Sequence, residues 1–311
     1  MDHDPIVIVG AARTALGAFQ GTFKAMSAPA LGAAAITAAL ARAQVAADDV
    51  DEALMGCVLS AGIGQAPARQ AALGAGLPQS VPCTTVSKVC GSGMKALMFG
   101  TDLIRAGSAE IVVAGGMESM SNAPYLLDRA RAGMRLGHGR VLDHMFLDGL
   151  EDAYDKGRLM GTFAEDTAQH YQFTREAQDA FALRSLERAR TAAEKGLFDG
   201  EIVAVTPPKG APVAADEQPG TARPDKIPTL KPAFRDGGTV TAANSSSISD
   251  GAAALVLMRL SEAEARGVKP LAVVRGHAAH AQAPAWFTTA PVAAITKLQE
   301  RLGWSAADVD L

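Results

Sequence analysis

Residues 84–93 read Thr84-Thr85-Val86-Ser87-Lys88-Val89-Cys90-Gly91-Ser92-Gly93. The β-branched first half predicts a strand that ends at a reactive position, and residues 94–106 predict a long helix. Cys90 therefore lies beside a helix N-terminus, where the helix dipole and free backbone N–H groups favour a thiolate. The arrangement makes Cys90 a candidate nucleophile, and the alternative is a small buried hydrophobic residue.

Strands and helices alternate on both sides of this stretch. Residues 6–9 are a β-branched run that predicts a buried strand of a mostly parallel sheet, and residues 110–116 predict the next buried strand. Residues 30–44 are rich in alanine and predict a helix. Residues 249–254 predict a further helix, which leads into a strand over residues 254–258. This alternation predicts an α/β layered fold.

The middle third of the chain has a different composition. Residues 121–160 hold many charges, glycines and aromatic residues, and residues 206–238 are rich in proline, glycine and charge. The middle third thus interrupts two α/β pieces. The alternative organisation is one α/β domain with a long insertion, and long insertions in compact domains are usually functional.

The overall composition excludes several functional classes. The chain has 311 residues and a formal net charge of -4, which argues against a general nucleic-acid or anionic-membrane role. Its three cysteines suggest neither a disulfide framework nor a zinc knuckle. The cysteines are few and no apolar run reaches membrane-spanning length, so a cytoplasmic protein is expected. Gly10 and Gly17 do not form the dinucleotide-binding glycine pattern, which counts against a dehydrogenase.

Residues 86–96 closely resemble the active-site segment of thiolases. Other segments resemble that family in the same order: residues 6–17, 114–121, 231–234, 238–246 and 249–254. The resemblance covers essentially the whole chain. It implies a layered α/β/α/β/α fold built from two related halves with an inserted loop domain.

The resemblance also implies domain boundaries. Residues 1–120 correspond to the N-terminal thiolase domain, and residues 239–270 return to it. Residues 121–238 correspond to a CoA-binding loop domain. Residues 271–311 correspond to the start of the C-terminal domain, which is incomplete.

The activity implied by the resemblance is acyl transfer by reversible thiolysis or Claisen condensation. Two acetyl-CoA would give acetoacetyl-CoA plus CoA, through an S-acetyl intermediate on Cys90. The alternatives are a longer-chain 3-ketoacyl-CoA thiolase, a ketosynthase-like relative, or an inactive CoA-binding fragment. The family needs no metal or redox cofactor, since CoA is a substrate, and its members are homodimers or homotetramers.

Three family motifs are absent from the sequence. Thiolases place the base histidine in a Gly-His-Pro segment, the second cysteine before a glycine run, and an Asn-Glu-Ala-Phe segment nearby. None of the six histidines here precedes a proline, and neither Cys57 nor Cys83 precedes a glycine run. Residues 308–311 resemble those just before the Asn-Glu-Ala-Phe segment. We therefore expect that the given sequence is cut short and is incomplete for catalysis.

The resemblance carries CoA-binding roles over to three residues. Ser246 matches a serine at the pantetheine arm of CoA, and Phe234 matches an aromatic residue along the same arm. Arg223 lies where the family often has an arginine near the adenine or phosphate end. For Arg223, a solvated surface arginine is an equal alternative.

Three more residues are expected around the acyl group. Met160 resembles a loop-domain residue over the acyl pocket, and Leu159 replaces the histidine that many short-chain thiolases have before it. Phe287 begins a segment that departs from the usual Met-Gly-x-Gly-Pro. Both departures are expected to alter the acyl-chain preference.

Overall fold

The structure, a computed structural model, describes residues 4–311. Its strands are β1 (Ile6–Thr14), β2 (Gly17–Ala18), β3 (Glu52–Gly56), β4 (Cys83–Val86), β5 (Val112–Ser119), β6 (Tyr125–Leu126), β7 (Leu142–Asp143), β8 (Ile202–Val203), β9 (Ser249–Arg259) and β10 (Ala272–Val273). Its α-helices are α1 (Ala28–Ala43), α2 (Pro67–Gly74), α3 (Ser92–Ala106), α4 (Met160–His170), α5 (Arg175–Glu194), α6 (Glu217–Thr221), α7 (Leu260–Ala265) and α8 (Ala290–Leu302). The predicted α/β class is confirmed.

One sheet organises the fold, with strand order β10-β1-β9-β5-β3-β4. Strand β3 pairs in parallel with β4 and β5, but β9 pairs antiparallel with both β1 and β5. The prediction of a mostly parallel sheet was therefore wrong. The insertion leaves β5 at Ser119 and re-enters at its register partner Asp250, so the chain starts β9 from the same end of the sheet. That return makes the pairing antiparallel, whereas parallel pairing needs a crossover to the opposite end.

The predicted helix over residues 249–254 was also wrong, because these residues form the first half of β9. Alanine favours helix, but β9 pairs with β5 over eight residues, and this pairing overrides local propensity. Small side chains suit the position, since β9 lies between two other strands and under helices. Strand β1 likewise continues to Thr14 instead of turning after Val9.

Helices cover both faces of the sheet. On one face, α1 packs against alternate residues of β1, β5 and β9, such as Val9, Val113 and Val256, and α2 packs against α1, β3 and β4. On the other face, α3 packs through Ala96 and Ile104. The cysteine-bearing stretch therefore leads into the helix that covers the second face.

The region between β5 and β9 is held to the sheet by two neighbouring carboxylates. Asp216 accepts hydrogen bonds from the Arg13 guanidinium at 2.7 Å and from the Leu16 N–H at 2.8 Å. Glu217 accepts from the N–H groups of Thr22 and Ala18. The donation from Thr22, above all, lowers the pKa of Glu217 below its ordinary value.

The last described segment lies against β1 and α4. Strand β10 pairs with β1, and the 3₁₀ turn Pro284–Thr289 packs on α4 through the hydroxyls of Thr167 and Thr288. Among residues 4–311, no helix is at once long enough and apolar enough to cross a membrane.

The closest backbone approach in the sheet generates a stability prediction. An alanine Cβ at Gly115 would lie 2.1 Å from the Ala253 carbonyl oxygen on β9. Gly115→Ala should lower the free energy of unfolding by about 2 kcal/mol or more, measured by urea denaturation. Gly200→Ala is the control, since nothing lies within 4 Å of its Cβ position. Equal stability of the two variants would contradict this packing.

Candidate active site

A cavity of about 680 Å³ opens on the α3 face of the sheet. The first turn of α3 and the ends of β3, β5 and β9 form its walls, mostly with glycines and apolar side chains. The ionisable groups in its described lining are Arg13, Cys90 and Glu118. Cys90 is exposed, so its thiol is accessible from this cavity.

Cys90 lies in a tight turn between β4 and α3. Strand β4 ends at Val86, four residues earlier than predicted, and α3 begins at Ser92 with Gly91 as its N-cap residue. The Gly91 N–H donates to the Lys88 carbonyl at 3.1 Å and closes the turn. Cys90 is thus placed one residue before the helix cap, close to the N–H groups of the first turn.

Three glycines let the first turn of α3 touch the strands directly. An alanine Cβ at Gly56 would lie 2.7 Å from the Gly93 nitrogen, and one at Gly116 would lie 3.2 Å from the Gly93 Cα. Any side chain at Gly56 or Gly116 would push α3 off the sheet. The backbone contact therefore determines how far Cys90 stands from the strand ends.

Glu118 is the carboxylate in the cavity wall. It accepts hydrogen bonds from the N–H groups of Val58 at 2.9 Å and Leu59 at 3.0 Å, and burial raises its pKa. The Cys57 thiol lies 3.8 Å from the same carboxylate. Burial, with a smaller contribution from Glu118, raises the pKa of Cys57 to about 12. Cys57 therefore stays a thiol at neutral pH.

A buried histidine supports the adjoining wall. The Ala61 N–H donates to His144 Nε2 at 3.3 Å, so the proton of the neutral ring lies on Nδ1 and is donated to Asp148 at 2.6 Å. Asp148 belongs to the π-helical segment Phe146–Leu150, whose Gly149 lines the cavity. This hydrogen bond fixes the segment beside the cavity.

The predicted acyl-pocket residues gather around the start of α4. Leu159 is the N-cap residue of α4, and Met160 is its first residue. The Phe234 ring packs directly on Gly161, where a Cβ would lie 2.4 Å from the ring. Phe287 meets Phe163 edge-to-face with ring centroids 6.0 Å apart. The structure thus brings Leu159, Met160 and Phe234 together at the start of α4. Phe287, on the 3₁₀ turn Pro284–Thr289, contacts α4 further along, at Phe163.

Ser246 and Arg223 are both exposed, on two different loops. The loop before Ser246 is held by the buried Glu165, which accepts from the N–H groups of Thr239 and Val240 at 2.8–2.9 Å. None of the six predicted binding residues belongs to the described lining of the Cys90 cavity. Their binding roles stay predictions.

Sequence reasoning missed several features of this site. Glu118 and His144 gave no separate signal, although Glu118 follows the Gly115-Gly116 pair that lines the cavity. Val89 has a positive φ of 47°, which no local pattern indicates. Within residues 4–311, no group of three or more His, Cys, Asp or Glu side chains is arranged to hold a metal.

Comparisons with known proteins identify the family of this chain. The family model described as the thiolase N-terminal domain matches residues 6–261. An acetyl-CoA acetyltransferase of Schizosaccharomyces pombe is 48% identical over 315 residues, covering 100% of this chain and 80% of the relative. One from Cupriavidus necator is 49% identical over 313 residues, covering 98% of this chain and 79% of the relative.

A solved structure has the same fold. The crystal structure of the Acat5 thiolase from Ascaris suum in complex with coenzyme A matches with a TM-score of 0.94 at 38% sequence identity. The match covers 99% of this chain and 79% of that chain. These relatives match along essentially the whole chain, which carries Cys90 just before α3. The chain therefore belongs to the thiolase family.

Proposed function

We propose that this chain is an acyltransferase that interconverts two acetyl-CoA with acetoacetyl-CoA plus CoA. The observation that supports this most is the position of Cys90, exposed at the start of α3 and opening on an apolar cavity. Relatives named acetyl-CoA acetyltransferase are 48% and 49% identical to this chain, which favours acetyl as the transferred group.

The chemistry follows from a thiolate at this position. In the degradative direction, Cys90 Sγ attacks the 3-keto carbon of acetoacetyl-CoA, and the bond between C2 and C3 breaks. Acetyl-CoA leaves as an enolate that takes a proton, and the other acetyl group stays on Cys90 as a thioester. The thiolate of free CoA then attacks this thioester and releases a second acetyl-CoA. The condensation is the same sequence in reverse.

The described residues account for the nucleophile and its surroundings. The N–H groups at the start of α3 face the turn that carries Cys90 and favour negative charge there. Among the residues of the described lining, we assign the nucleophile role to Cys90.

The finer roles are part of the proposal. Coenzyme A would lie along Ser246 and Phe234 with its phosphates toward Arg223, and Leu159, Met160 and Phe287 would surround the acyl group. CoA serves as a substrate, and we propose no resident cofactor or metal. A homodimer or homotetramer in the cytoplasm is the proposed working state.

The first test is acylation of Cys90. Brief exposure to acetoacetyl-CoA should add one acetyl group to the intact protein, and peptide mapping should place it on Cys90. Cys90→Ser should show no such thioester. Cys83→Ser is the matched control and should be acetylated like the native protein, because Cys83 lies partly buried on β4. A native protein without the adduct would contradict the proposal.

The same assay separates the two chain-length alternatives. Acetoacetyl-CoA and a longer 3-ketoacyl-CoA are offered together, and the acyl group on Cys90 is identified by mass. Cleavage of the longer substrate between C2 and C3 leaves on Cys90 an acyl chain that is longer than acetyl. A predominant acetyl adduct supports the short-chain function, and a predominant long-chain adduct supports the degradative alternative.

The raised pKa of Cys57 generates a second prediction. With a pKa of about 12, Cys57 is a thiolate only at strongly alkaline pH, and it is also buried. Limiting iodoacetamide at about pH 7 should therefore label Cys90 before Cys57, as read by peptide mass. Labelling of Cys57 should appear only as pH approaches that value. Early labelling of Cys57 in the folded protein would contradict its burial.

The third prediction concerns the loop before Ser246. Glu165→Ala removes the acceptor for the Thr239 and Val240 N–H groups, so the loop should loosen and CoA should bind roughly tenfold more weakly by calorimetry. Glu176→Ala on the exposed face of α5 is the control and should bind CoA normally. An unchanged affinity of Glu165→Ala for CoA would mean that the pantetheine arm does not lie along the loop that carries Ser246.

A further inference from the structure

Val89 adopts a backbone conformation that its side chain disfavours. Its φ is 47°, in the left-handed region. A β-branched residue with positive φ is a genuine outlier, because Cβ crowds the following carbonyl. Such a conformation persists only where the surroundings enforce it. Because Val89 immediately precedes Cys90, whatever enforces its conformation also orients the cysteine.

The Ser92 side chain bonds to the backbone on either side of the Val89 Cα. Its hydroxyl donates to the Val89 carbonyl at 2.6 Å and accepts from the Lys88 N–H at 2.7 Å. The Ser92 N–H also donates to the Val89 carbonyl, at 3.1 Å. The hydroxyl thus uses its donor on the carbonyl of Val89 itself and an acceptor site on the N–H of the residue before it.

Ser92 is itself fixed to the sheet. It is 4% exposed, and an alanine Cβ at Gly56 would lie 2.7 Å from the Ser92 Cβ. The last residue of β3 thus packs on Ser92. Loss of the hydroxyl would leave the packing of Ser92 on β3 in place but would release Lys88 and Val89.

We propose that Ser92 is a positioning residue for Cys90, whose hydroxyl keeps Val89 in the left-handed conformation. The inference rests on the proposed role of Cys90 as the nucleophile. Without the hydroxyl, Val89 relaxes toward negative φ, and the peptide that carries Cys90 rotates away from the N–H groups of α3. The effect of Ser92 therefore depends on the strain at Val89.

The test is a double-mutant cycle of Ser92→Ala and Val89→Gly in the full chain. Glycine takes a positive φ without steric cost, so it removes the strain that Ser92 opposes. The probe is iodoacetamide at about pH 7, with which the Cys90 thiolate forms an S–C bond and releases iodide. Ser108→Ala, at the exposed far end of α3, is the control and should react at the native rate.

We expect Ser92→Ala to react with iodoacetamide roughly tenfold more slowly at Cys90 than the native protein. In the Val89→Gly background, the same Ser92→Ala change should cost no more than about twofold. This recovery distinguishes positioning from a general loss of packing, because a packing loss at Ser92 would persist when residue 89 is glycine.

Two results would overturn the inference. One is native reactivity in Ser92→Ala, and the other is an equal loss from Ser92→Ala in both backgrounds. If Ser92→Ala alone loses its thermal unfolding transition, the comparison of Val89→Gly with the double variant decides the matter, and a tenfold loss there overturns it. Native Cys90 that alkylates but is not acetylated by acetoacetyl-CoA would refute the proposed function and leave the Ser92 result intact.

Discussion

The contact between the first turn of α3 and the ends of β3 and β5 is the constraint on which the site depends. Gly56, Gly93 and Gly116 meet there backbone to backbone. Because α3 rests on the strands without intervening side chains, the turn before it is drawn to the sheet edge, and the cavity opens beside it. Cys90, the strained Val89 and the Ser92 hydroxyl all take their positions from this contact.

Local sequence was sufficient for those parts of the site that depend on local geometry. The glycines around Cys90 and the apolar run after them predicted a cysteine before a helix, and the structure has α3 starting at Ser92. The family resemblance was confirmed by relatives along the whole chain. Val89 could not be predicted, because a β-branched residue is among the last expected at positive φ.

Features that depend on distant residues were beyond local patterns. The alanines of β9 favour a helix, and only their place between β1 and β5 makes them a strand. Glu165 and Asp179 lie in helices rich in charge and were indistinguishable from solvated residues, yet both are buried and hold the segment before Ser246. In each case the partner lies tens of residues away or more, and no short window contains it.

The position of β9 also affects how the chain is made. About 130 residues separate the end of β5 from the start of β9, which fills the gap between β5 and β1. At roughly 5–20 residues per second, a ribosome takes about 7–25 seconds to deliver that strand. During this time β1 and β5 have emerged with their inner edges unpaired. Nascent chains are therefore open to mispairing for seconds, which would make their yield sensitive to translation rate and to chaperones that cover strand edges.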